Sequence, residues 1–165
     1  WGAAQAHALA GNWEPAWKLY EEAVRLRTGV VGLRTDYAVD LLRAGETARA
    51  REQVDAALLL DTEDPVVVAV DALVLDAEGD VARSRERADQ AVTLGPWCDL
   101  AVIAKGRALA AVGEAQESAQ VLSGYLTRVQ HHAAPEFVYR PKWGRYDEVR
   151  QLPVVEQAFL PDELR

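Results

Sequence analysis

"LLRAGETARAREQVDAAL", residues 41–58, reads as helix on both sides of a single glycine, Gly45. Glycine costs about 1 kcal/mol against alanine inside a helix, so its place here marks a break between two helices. Gly11, Gly45, Gly79 and Gly113 are evenly spaced, each standing 34 places after the one before. With glycine at about 7% of positions, three such further hits arise by chance about 3 times in 10,000. Freedom to choose the start and the period makes that figure suggestive, and the neighbouring residues decide the matter. One place after each glycine stand Asn12, Glu46, Asp80 and Glu114, all polar. Five places after stand Ala16, Ala50, Ser84 and Ser118, and seven before stand Ala4, Ala38, Ala72 and Gly106, all small. Thirteen after, Val24, Leu58, Val92 and Leu126 are all apolar.

A pair of antiparallel helices accounts for every one of these columns. Glycine ends the first helix in a left-handed conformation that it adopts without steric cost. The Asn, Asp or Glu after it starts the second helix, where a capping oxygen or a negative charge meets free N–H groups. The small columns let the two backbones approach closely. The spacing predicts helices over 1–10, 13–27, 31–44, 47–60, 65–78, 81–94, 99–112 and 115–129. Pro15 falls in the first turn of its helix, where a missing N–H does no harm.

A helix–turn–helix repeat of this period, with these small and apolar positions, resembles the tetratricopeptide repeat family. The family's Leu-Gly-x-x-Tyr segment has its counterpart in Lys105-Gly106-Arg107-Ala108-Leu109. Its Ala-x-x-x-Phe segment matches Ala16 to Tyr20 and Ala50 to Val54, and its closing proline matches Pro96. Asp71 and Lys105 depart from the pattern, standing where a large apolar residue is usual; Ser84 and Ser118 replace alanine. The resemblance implies an all-α fold, a right-handed superhelical solenoid of antiparallel helix pairs over residues 1–130. The first repeat is expected to be incomplete. The period stops after residue 130, and 131–165 are expected to form a C-terminal aromatic segment and capping helix. Solenoids need such an end over the last apolar face. The other reading is that Phe137, Tyr139, Trp143 and Tyr146 contact the groove or a partner.

Composition narrows the function classes. The chain carries a net charge of −8, all of it within residues 1–126, which hold 12 basic and 20 acidic side chains. An acidic surface repels phosphate backbones, so no nucleic-acid partner is expected. No apolar run is long enough to span a membrane, so this chain is not expected to insert in a bilayer. The lone Cys98 rules out an internal disulfide, which suits a cytoplasmic home without excluding a periplasmic or membrane-associated one. Arginine outnumbers lysine 15 to 3, the bias of a GC-rich, bacterial genome. The chain holds no methionine and begins at Trp1, so upstream sequence is expected.

Nothing in the chain points to chemistry. His131 and His132 lie near Glu136, but adjacent helical residues point about 100° apart and no further ligand cluster sits at metal spacing. Cys98 has no histidine near it in sequence and reads as a half-buried structural residue. No glycine loop cradles a phosphate, because the repeat glycines are singletons. No catalytic residue, metal or cofactor is therefore expected.

The resemblance also implies where a partner binds. Stacked helix pairs curve around a concave face lined by the first helix of each pair. By analogy with the family, the groove positions lie ten, nine, six, three and two before each glycine. They are Thr35, Asp36, Val39, Leu42 and Arg43 in the second repeat, and Ala69, Val70, Leu73, Asp76 and Ala77 in the third. In the fourth they are Ile103, Ala104, Arg107, Ala110 and Ala111, and the first adds Trp1, Gln5, Ala8 and Leu9. Gln5, Asp36 and Val70 occupy places where some family members carry a carboxylate-gripping set, so that mode is not expected. The groove reads as mostly apolar, suited to a helix or an extended segment of a protein or peptide partner. The alternative is that these residues pack between neighbouring helices. Two readings of function follow: a non-catalytic interaction scaffold, or an accessory domain of a longer enzyme or membrane-complex protein whose catalytic or transmembrane part precedes Trp1.

Overall fold

At Gly11, Gly45, Gly79 and Gly113 the backbone turns left-handed, with φ of 73°, 81°, 82° and 84°. Around each, the glycine N–H donates to the carbonyl three residues back and the next N–H to the carbonyl five residues before it. Gly45 thus bonds Leu42 at 3.0 Å and Glu46 bonds Leu41 at 2.9 Å. This pairing satisfies carbonyls that a helix end leaves orphaned, and it recurs at all four turns.

The computed structural model describes residues 1–132, with side chains as far as Thr127. Among these residues run eight helices: α1 Gly2–Leu9, α2 Trp13–Leu26, α3 Val31–Arg43, α4 Thr47–Leu58, α5 Pro65–Glu78, α6 Val81–Leu94, α7 Asp99–Ala111 and α8 Ala115–His132. The spans expected from the repeat register lie within three residues of these. Each odd-numbered helix packs on the even-numbered one that follows it, and α4 and α6 pack in turn on the next pair's first helix. The odd-numbered helices also pack on one another in succession, α1 on α3, α3 on α5, and α5 on α7. The result is an all-α solenoid whose first helices form the inner layer.

The small columns are where the paired helices touch. Ala4, Ala16, Ala38, Ala50 and Ala72 are fully buried. The two serines that replace alanine are buried as well, and each hydroxyl donates across the pair. Ser84 Oγ reaches the Ala72 carbonyl at 3.0 Å and Ser118 Oγ the Gly106 carbonyl at 2.7 Å. Leu41, Leu75 and Leu109, four before Gly45, Gly79 and Gly113, are at most 1% exposed, each contributing about 1.5–3 kcal/mol of burial.

Two glycines test different parts of this geometry. A Cβ at Gly45 would meet nothing within 4 Å, so Gly45→Ala costs only the left-handed strain, about 1–2 kcal/mol. A Cβ at Gly106 would lie 2.5 Å from Cγ and Cδ2 of the fully buried Leu122. Overpacking there costs about 1–3 kcal/mol although Gly106 itself is helical. Urea unfolding of both variants checks this, and a Gly106→Ala protein as stable as the parent would contradict the close α7–α8 crossing.

Helix starts differ from expectation in one respect. Asn12, Glu46 and Asp80 all occupy the cap position, but only Asp80 caps with its side chain, accepting from the Arg83 N–H at 3.2 Å. Side-chain length alone does not set this, since Asn12 is as short as Asp80 and makes no such bond. Glu114, in the matching place of the last repeat, turns instead to Arg85 at 2.9 Å. At α5 the cap is Asp64, whose Oδ1 accepts from Val66 and Val67, with Pro65 in the first turn.

The departures from the family pattern are interface residues. Asp71 is 2% exposed and accepts from Arg51 of the preceding repeat at 2.6 Å and from Arg87 of its own at 2.9 Å. Arg51 also grips Glu78. Lys105 bonds Asp89 of the preceding repeat. In the first junction the corresponding places hold aromatics: Trp17 lies 5.8 Å from Tyr37, which stacks on Tyr20 at 4.6 Å. Arg49 sits over Trp17 and donates to both Tyr37 and Glu21. Each junction therefore has its own chemistry: aromatic first, then arginine–aspartate, then lysine–aspartate.

Candidate functional site

The inner helices α1, α3, α5 and α7 carry the residues that the resemblance assigns to a groove, and burial divides them into two sets. Thr35, Val39, Ala69, Val70, Leu73 and Ile103 are buried, none more than 6% exposed, as are Ala8 and Ala104. They pack between neighbouring helices and form a floor. Gln5, Leu9, Asp36, Leu42, Arg43 and Arg107 are half-buried, together with Trp1 and Asp76, while Ala77, Ala110 and Ala111 are exposed. The accessible inner face is therefore more polar than the sequence pattern implies, because adjacent first helices cover most of the apolar positions.

The accessible members are linked in hydrogen-bonded groups. Asp36 Oδ2 accepts from Trp1 Nε1 at 2.9 Å and from Gln5 Nε2 at 2.7 Å, tying α1 to α3. Asp76 Oδ2 accepts from Arg107 Nε at 2.8 Å and Nη2 at 2.6 Å, tying α5 to α7. Between these, Arg43 Nη1 donates to Asp40 at 2.8 Å and its guanidinium lies over Trp13 at 5.7 Å. Asp36, Arg43, Asp76 and Arg107 thus alternate in sign along the repeats. Fixed carboxylates and guanidinia of this kind offer acceptors and donors suited to backbone amides and charged side chains.

Asp40 was not among the residues that the register singles out. It is 4% exposed and accepts from the Tyr20 hydroxyl at 2.6 Å as well as from Arg43. Burial pushes its carboxyl above the ordinary aspartate range, against the opposing pull of those two bonds. The folded chain therefore takes up this proton at higher pH than the unfolded one. Its contribution to stability is complete below about pH 3.9, the value of a free aspartate, and is lost as pH rises through the elevated folded value. Asp40→Asn keeps an acceptor for Tyr20 and removes the titration. Its stability relative to the parent should improve from about pH 4 to pH 7, measured by thermal unfolding across that range. A difference that stays flat with pH would refute the assignment.

Cys98 is 2% exposed, more enclosed than the half-burial expected, and packs with Val68, Ala69, Ala91 and Ala101. No helix of the described residues is long and apolar enough to cross a membrane. The aromatic residues Phe137, Tyr139, Trp143 and Tyr146, and the expected capping helix, lie outside the described residues. Asp40 left a sequence signal only in retrospect, as a carboxylate one helical turn from both Asp36 and Arg43.

No family model matches this chain, and no curated protein matches it. Among solved structures, one titled "Crystal structure of MamA protein" is similar over 84% of this chain and 75% of its own, with a TM-score of 0.58 and 18% identity. That likeness is one of fold, and it places this chain among helical-repeat solenoids.

Proposed function

We propose that this chain is a non-catalytic scaffold that binds a protein or peptide partner along its inner face. The observation that carries the reading is the row of half-buried Asp36, Arg43, Asp76 and Arg107 standing over an apolar floor. Leu9 and Leu42 add partly exposed apolar contacts beside it. An extended segment fits this surface better than a helix. Its backbone N–H and C=O groups remain free to pair with the carboxylates and guanidinia, whereas a helix has spent most of its own internally.

Selection from a displayed random-peptide library against the full chain tests the proposal. Enriched peptides should bind the parent and lose about tenfold or more in affinity to Arg107→Glu, roughly the 1.4 kcal/mol of a charged hydrogen bond. No enrichment, or equal binding by parent and variant, would refute it.

A further inference from the structure

A second surface lies at the loop end of the solenoid. Leu59 is 88% exposed, Leu60 45%, Leu94 37% and Trp97 53%. Leu60 and Leu94 are one repeat apart and hold equivalent places at the ends of α4 and α6. The two loops adjoin, since a Cβ on Gly95 would lie 2.7 Å from the Pro65 side chain. Together, residues 59–66 and 93–100 contain four carboxylates and no lysine or arginine. Asp61 and Glu63 among them are exposed. Large apolar side chains beside exposed carboxylates call for a partner that is aromatic and basic.

The same chain carries such a segment. "FVYRPKWGRY", residues 137–146, has four aromatics, three cations and no carboxylate, whereas residues 1–132 hold 13 basic and 20 acidic side chains. The second helices run parallel, so α8 ends at the same side of the solenoid as α4 and α6. Neighbouring second helices lie within two helix spacings, roughly 20 Å. From His132, the Leu94–Trp97 loop is one step away and the Leu59–Leu60 loop two. Residues 137–146 follow His132 by 5 to 14 positions, an extended reach of roughly 15–50 Å. The tether matches the distance.

We propose that residues 137–146 of this chain dock on the patch formed by Leu59, Leu60, Leu94 and Trp97, with their cations facing Asp61 and Glu63. Hydrogen exchange of the full chain, read by mass spectrometry, tests this. In the parent, amides of 137–146 should exchange about tenfold or more slowly than an unstructured peptide. The double variant Leu59→Lys, Glu63→Lys, altered only at exposed positions, should return them to the unprotected rate while α3 and α5 keep their protection. Three results would overturn the proposal: free exchange of 137–146 in the parent, protection unchanged in the variant, or protection that grows with protein concentration as a dimer forms.

Discussion

Replacing Tyr20 by alanine should cost about 4–5 kcal/mol and unfold the first two repeats ahead of the rest. The ring is fully buried, stacks on Tyr37 at 4.6 Å and donates its hydroxyl to Asp40 at 2.6 Å. Truncating a buried aromatic costs about 3–5 kcal/mol, and stripping a buried carboxylate of a donor adds about 1–3 kcal/mol. Partial collapse of the cavity and the remaining Arg43 bond keep the total below the simple sum. Tyr20→Phe separates the parts, since it keeps the packing and loses only the hydrogen bond, at about 1–2 kcal/mol. In a repeat protein each unit touches only its neighbours. Exchange protection should therefore fall in α1–α4 before α5–α8 in the alanine variant. Uniform loss along the chain would show that the repeats unfold as one unit.

The second large effect is expected at Asp71, where Asp71→Ala should cost about 2–3 kcal/mol. Removing one member of a fully buried ion pair costs about 3–5 kcal/mol. Here the carboxylate is buried, but the side chains of Arg51 and Arg87 are 22% and 35% exposed, so water offsets part of their loss. Arg51 also keeps Glu78. Denaturant unfolding of the single variant and of Asp71→Ala combined with Arg51→Ala checks the coupling. The double variant should lie closer to the single one than additivity allows. Additive costs would mean that Asp71 and Arg51 do not act together at this junction.

The fold was legible because glycine is the residue that ends a helix in the left-handed conformation at no steric cost. Gly45 and its three counterparts set a register from which every described helix followed closely. Less legible was which face of each first helix stays accessible. The register assigns Val39, Leu73 and Ile103 to the inner face, but whether the neighbouring helix covers them depends on inter-repeat distances that one sequence does not encode. Asp71 and Lys105 looked like departures from an apolar column. Their partners, Arg51, Arg87 and Asp89, lie in neighbouring helices, and pairing across columns would have exposed them. The helix starts misled in a smaller way, because the position recurs in each repeat while the chemistry does not: Asp80 reaches a first-turn N–H, Asn12 and Glu46 make no such bond, and Glu114 turns to Arg85.

Amide chemical-shift mapping of a selected peptide on the full chain tests the scaffold reading most directly. Perturbations should concentrate at Gln5, Leu9, Asp36, Leu42, Arg43, Asp76 and Arg107, along the inner face of all four repeats. Perturbations confined to residues 59–63 and 94–97, or scattered over the outer helices, would contradict it.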